Sequence, residues 1–184
     1  DRSGRTQGRE NGQAAAGRGR RGKSWSTSWG GSLILSLGWR FESGVAALEG
    51  LSLAVGVVLA EVVETLGVNV ALKWPNDVQI QGRKVAGILT ESRSSRSRLK
   101  TSTIGIGVNV HVAESDFPVE LRDIATSVQA AGAYVKRVDL LGEILIQLND
   151  VSNWSTADLL STWRGKCRQW GHRVRVEWDQ GTTE

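Results

Sequence analysis

This sequence predicts an α+β domain: a mixed, largely antiparallel sheet with helices packed on one face. Three observations carry that expectation. Apolar segments of strand length recur between turn residues from position 32 onward. They follow one another as hairpins rather than through regular helical crossovers. Helix-length segments, one early and two late, place Leu, Ile and Val at helical spacing.

Residues 32–39 (SLILSLGW) form a short apolar run after turn signals and predict a mostly buried strand, with a turn over 41–44. Residues 45–66 predict a long helix, apolar on nearly every face, which Gly67 stops. A membrane span is the competing reading of such a run. Glu49, Glu61 and Glu64 make it costly, so a core helix is expected. Residues 70–74 predict a strand and Pro75, Asn76 and Asp77 a turn, because proline cannot pair in a central ladder. Residues 78–80 and 84–91 then predict a hairpin around 81–83, with 92–98 (SRSSRSR) as a basic loop tip. Residues 101–110 (TSTIGIGVNV) alternate strongly and predict a strand with Gly105 and Gly107 on one face. Glycines at i and i+2 clear that face for a ligand or another backbone; a bulge or tight packing explains the spacing equally well. Two helices follow, 140–148 capped by Asp139 and 157–165 capped by Ser155 or Thr156. Residues 174–178 predict the first strand of a unit cut short.

The chain has 184 residues, enough for one full domain and the start of another, and its 40% apolar content supports a core. The net charge of +4 is uneven: residues 1–25 hold seven Lys/Arg against two acids, a local +5, and the remainder sums to about −1. That distribution argues against general nucleic-acid binding. A single cysteine, Cys167, excludes an intrachain disulfide and makes a reducing, cytoplasmic compartment the expectation. With only His111 and His172 beside it, a protein-built zinc site is not expected. The first 24 residues lack the apolar stretch of a signal peptide, and the absence of any methionine suggests a piece of a longer protein.

Residues 17–25 (GRGRRGKSW) stand apart from any packing argument. Four cations lie among three glycines and end on a tryptophan. Such a segment buries no apolar area and suits an anion, since glycine lets backbone N–H groups approach and arginine forks onto phosphate or carboxylate. An RGG-type RNA-binding arm is the alternative, although residues 1–24 contain no aromatic ring for base stacking.

Three segments in order, 17–25, the pair 73–77 (KWPND) with 83–88 (RKVAGI), and 105–109 (GIGVN), resemble biotin–protein ligases. The segment 125–128 (ATSV) is similar to a further stretch of that family, and the resemblance covers roughly residues 12–178. It implies ATP-dependent activation of biotin to biotinyl-5′-AMP, with magnesium, and transfer to a lysine of a biotin carboxyl carrier domain. It assigns Gly17, Arg18, Gly19 and Arg20 to a loop over biotin and adenylate, with Arg20 holding phosphate and carbonyl oxygens. Lys84 is expected to touch both biotin and phosphate and, with Arg20, to be catalytic. Trp25, Lys73, Asn76, Asp77 and Asn109 fall to the ATP side, Asp77 as a magnesium contact, and Gly105 and Gly107 to a floor under biotin's rings. The segment from 110 to 115 begins a second loop expected over adenine.

The resemblance also divides the chain. Residues 1–165 match the catalytic domain, with 1–16 disordered or divergent, and 166–184 the start of a truncated SH3-like domain. The family's Ser/Thr-rich upstream strand has no match in 1–16, and Ala14 stands where the family has Gln. A homodimer through sheet edges is a further expectation of the resemblance. A lipoate or octanoate transferase relative is the alternative within the fold.

Overall fold

The structure is a computed structural model and describes residues 17–19, 24–25, 30–41, 50–94, 100–178 and 181–183. Its centre is a five-stranded sheet in the order β3-β7-β6-β5-β4, made of β3 (Ser32–Phe41), β4 (Val70–Lys73), β5 (Asp77–Ile80), β6 (Arg83–Ser94) and β7 (Lys100–Asn109). All neighbouring strands are antiparallel; among the described residues parallel pairing is confined to two isolated bridges, Leu72 with Cys167 and Lys84 with Ala125. Two short pairs stand outside it, β1 (Gly17–Arg18) with β2 (Ser24–Trp25), and β8 (Val176–Trp178) with β9 (Gly181–Thr183).

Alternation along β6 and β7 gives the sheet two unlike faces. Ala86 and Ile88 of β6 and Ile104, Ile106 and Val108 of β7 are buried together under α1 (Leu51–Glu64), with Val78 and Ile80 of β5 beside them. α1 is buried on almost every side, since α2 (Arg137–Asp150) and α3 (Thr156–Lys166) pack against it as well. That is why its sequence lacks a polar stripe. Among the described residues no helix is long and apolar enough to cross a membrane.

Helix ends differ from the expectations in instructive ways. α1 begins at Leu51, because Gly50 sits at φ 87°, a left-handed conformation that interrupts a helix; residues 45–49 lie outside the described residues. At its other end Gly67 has φ 82°, and its N–H bonds the carbonyl of Glu64 at 2.9 Å, the expected stop. Asp139 is not the cap of α2. The helix starts at Arg137 after an extended Lys136, and Asp139 lies in the first turn, where a carboxylate favours the helix dipole. Ser155 does cap α3, accepting from the Asp158 N–H at 3.1 Å.

Asp77 opens β5 rather than closing a turn, because it pairs with Lys73 across a three-residue connection, 74–76. The β5–β6 hairpin turns on Gln81 and Gly82, both at positive φ (51° and 81°), the backbone that a two-residue hairpin requires. β6 continues through Ser94, so 92–94 are strand and not loop, since they pair with β7 residues 100–102; residues 95–98 lie outside the described ones. The last strand of the sequence reading also gains a partner in β9, too short to show any period.

Leu59, fully buried in α1, sets a test of this core. Leu59→Ala is expected to cost about 2–5 kcal/mol in urea unfolding, and Ile146→Ala on the exposed side of α2 (69% exposed) less than about 0.5 kcal/mol.

Candidate active site

The face of the sheet opposite α1 is where the sequence puts its glycines. Gly105, Gly107 and Asn109 follow one another on that face of β7, and Gly87 and Leu89 of β6 stand opposite them as the pairs Gly87–Gly107 and Leu89–Gly105. β3 contributes Ser32 opposite Asn109, Ile34 opposite Gly107 and Ser36 opposite Gly105. Gly87 is the position that the sequence did not single out; the signal was the one glycine of RKVAGI, legible only once the register sets it against Gly107.

Lys84 reaches this face through an irregularity. Strict alternation would send it to the helix side with Ala86 and Ile88. The pairing runs Val78 with Ala86 but Gln79 with Lys84, leaving Val85 as an extra residue in β6. Val85 is fully buried, and the switch in register turns Lys84 onto the face of Asp77, Gln79 and Gly87. The backbone there is held from outside the sheet: the Lys84 N–H donates to Ile124 O (2.8 Å), and Thr126 N–H donates to Lys84 O (2.9 Å). The 125–128 segment thus lies alongside the start of β6.

Around Lys84 the side chains converge. Its Nζ lies 2.5 Å from Asp77 Oδ1 and 5.5 Å from the centre of the Trp25 ring, both partners being partly exposed groups. Trp25 rests on the glycine pair: a Cβ on Gly107 would stand 2.9 Å from Trp25 Cε2, and one on Gly87 3.0 Å from Cζ3. A side chain at Gly107 would collide with the indole, and one at Gly87 would meet Lys84 Cε at 2.9 Å before crowding the ring. The indole Nε1 is buried and finds no hydrogen-bond partner among the described residues. Gly105 meets only ordinary contacts with Leu89. The floor expected beneath biotin is therefore half covered: the indole occupies the Gly107 end, and the Gly105 end is not blocked by it.

The remaining expected residues divide. Lys73 is exposed at the end of β4, opposite Asp77. Asn76 is clamped to β6, its Nδ2 donating to Ile88 O (2.7 Å) and its carbonyl accepting from the Ile88 N–H (3.0 Å). Asn109 is 4% exposed, with Oδ1 accepting from Ser32 Oγ (3.2 Å) and Nδ2 donating to Thr126 O (3.0 Å). Both ends of its amide thus serve the fold, a task the sequence did not reveal. Gly17 and Arg18 pair with Trp25 and Ser24, so 17–25 is not wholly irregular as expected, and Gly19 follows that strand. Arg20 lies outside the described residues, as do 21–23.

Residues 110–124 are braced rather than loose. Arg83 forms an ion pair with Glu114, Arg122 donates to the carbonyls of Phe117 (3.1 Å) and Ser115 (3.0 Å), and Ser127 Oγ donates to Val112 O at 2.7 Å. Among the described residues no cluster of three or more His, Cys, Asp or Glu could hold a metal alone. Among the described residues Asp77 is the carboxylate paired with Lys84, and one carboxylate fits a magnesium ion shared with phosphates rather than a protein-built cage.

The described residues thus form an antiparallel sheet with helices on one side and, on the other, a glycine-floored face bearing one re-aimed lysine. Residues 13–109, just over half of the chain, match the Biotin/lipoate A/B protein ligase family, and the chain belongs to that family. The bifunctional ligase/repressor BirA of Escherichia coli (strain K12) is 56% identical over 77 residues, 41% of this chain and 24% of that protein. The biotin–[acetyl-CoA-carboxylase] ligase of Mycobacterium tuberculosis is 35% identical over 171 residues, 88% of this chain and 61% of that one. The chain therefore spans between about a quarter and three-fifths of these curated relatives. Among solved structures, the biotin protein ligase of Aquifex aeolicus in complex with biotin and ATP superposes with a TM-score of 0.73 at 28% identity, covering 90% of this chain and 70% of that one.

The seat of Trp25 on glycine can be checked by fluorescence. Gly107→Ala is expected to dislodge the indole and change the emission spectrum, Gly105→Ala to leave it unchanged, and Gly107→Ala in a Trp25→Phe background to produce no such change.

Proposed function

We propose that this chain carries the catalytic part of a biotin–protein ligase, which joins biotin to ATP as biotinyl-5′-AMP and passes the biotinyl group to a lysine of a carrier domain. The observation that carries this reading is Lys84, turned by the Val85 bulge onto a glycine-floored face beside Asp77 and Trp25. The family includes lipoate as well as biotin enzymes. The relatives named above are called biotin ligases or BirA, which favours biotin here.

In this reading a biotin carboxylate oxygen attacks the α-phosphorus of ATP, forming a P–O bond as pyrophosphate departs. The ε-amine of the carrier lysine then attacks the carbonyl carbon, and AMP leaves. Both partners of the first step are anions, so cations must stand where charge gathers on phosphorus and carbonyl oxygen. Lys84 and Arg20 fill that role, and Gly17, Arg18 and Gly19 supply backbone close to the same anions. Binding would exchange Lys84's contact with Asp77 for a phosphate or carboxylate oxygen and free Asp77 for magnesium, whose contribution is to neutralise phosphate charge. Lys73, Asn76 and Asn109 border the nucleotide, Asn109 by fixing the backbone of Thr126. Trp25 closes the nucleotide side and offers its N–H, without a partner among the described residues, to an acceptor; Gly105 floors the acyl group, and Gly107 seats the indole beside it.

The same reading takes residues 1–165 as the catalytic unit and 166–184 as the start of an SH3-like domain, in the cytoplasm, with a homodimer through sheet edges. The test is pyrophosphate release that requires both biotin and ATP, and biotin label on an acceptor lysine. Lys84→Ala and Arg20→Ala are each expected to slow adenylate formation by about 10²–10³-fold. Label transfer from lipoate in place of biotin, or no binding of biotin in calorimetry, would overturn it.

A further inference from the structure

The connection between β4 and β5, residues 74–76, holds Lys73 and Asp77 at its two ends. On its far side it is fixed to β6 by the two Asn76–Ile88 hydrogen bonds. Pro75 has no N–H to give. On the near side the Trp74 N–H goes to a side chain 95 positions away: Gln169 Oε1, at 2.6 Å. Trp74 itself is 47% exposed, so packing of its ring does little to hold the backbone.

Gln169 is placed there by a run of contacts. After α3 the chain lies along the β4 edge: Cys167 bridges Leu72, and the Arg168 N–H donates to Leu72 O at 3.0 Å. Lys166 Nζ anchors the start of this run to Glu64 Oε2 of α1 at 2.5 Å, and the Arg168 guanidinium stands 2.7 Å from the point where Gly82 would carry a Cβ. The segment is thus held to α1 and along β4, its Arg168 side chain reaching toward the β5–β6 hairpin and its Gln169 amide bonded at the 74–76 turn.

From this we infer that Gln169 is a positioning residue: through the Trp74 N–H it sets the 74–76 turn, and with it Lys73 and Asp77, for the nucleotide. The inference rests on the proposed ligase reading for its consequence, but its geometry does not. The segment after α3 therefore contributes directly to the order of the site, although it follows the family match, which ends at residue 109.

Two variants of the full chain test it. Gln169→Leu keeps the shape and removes the acceptor; Gln169→Glu restores one. By amide hydrogen exchange, Gln169→Leu is expected to speed exchange at Trp74 about three- to tenfold, leaving the β4 amides unchanged, and Gln169→Glu to return it to the wild-type rate. In adenylate formation, Gln169→Leu is expected to raise the KM for ATP by a similar factor with the Kd for biotin unchanged, and Gln169→Glu to rescue it. Unchanged exchange at Trp74, a parallel loss of biotin affinity, or failure of Gln169→Glu to rescue the KM would each overturn the inference. If exchange responds as expected and the wild type forms no adenylate, the ligase reading fails, and with it the consequence for ATP.

Discussion

The two faces of β6 and β7 make opposite demands on the same residues. Beneath α1 each position must fill space, and Ile88, Ile104, Ile106 and Val108 do so without a polar atom. On the other face Gly87 and Gly107 stand directly opposed and give up their side chains to admit a flat ring. Period-two alternation meets both demands until Lys84, where the same rhythm would bury a cation under the helix. A single extra residue, Val85, resolves the conflict, keeping the core closed and turning the lysine outward. The bulge is thus the joint between packing and chemistry, and the arrangement of Asp77, Lys84 and Trp25 depends on it.

Much of this was legible in the sequence, and for identifiable reasons. The alternation of β7, the glycine stop of α1 and the hairpin at Gln81–Gly82 are local signals, and each appears where the pattern puts it. What singled out Lys84 was the resemblance. Neither the bulge that aims it nor the Gly87–Gly107 pairing has a one-strand signature; both depend on which residue of a neighbour lies opposite. The start of α1 escaped because the apolar run continues upstream of Gly50, and composition alone does not mark a left-handed residue. Asp139 looked like a cap because Asp often is one, yet the first turn suits a carboxylate as well.

Long-range support was the least legible layer. The backbone of Lys84 is held by Ile124 and Thr126, Asn109 joins Thr126 to Ser32, and Trp74 is held by Gln169. In each case a residue close to the glycine face is steadied by one far away in the chain, and except for the Ser32–Asn109 side-chain bond the contact uses a backbone atom that carries no sequence information. A motif can single out residues of one strand, but the hydrogen bonds that hold them come from segments distant in the chain.

The small β1–β2 pair has a mechanical consequence. Arg18 and Ser24 are registered across from each other, and Trp25 is seated on the glycines. Trp25 therefore takes part in two contacts at once, its backbone paired with Gly17 and its indole resting on Gly87 and Gly107. A side chain added at Gly107 would push on the indole and, through the same residue, on the Gly17–Trp25 pair, so a substitution inside the large sheet would reach a strand that the sheet does not include.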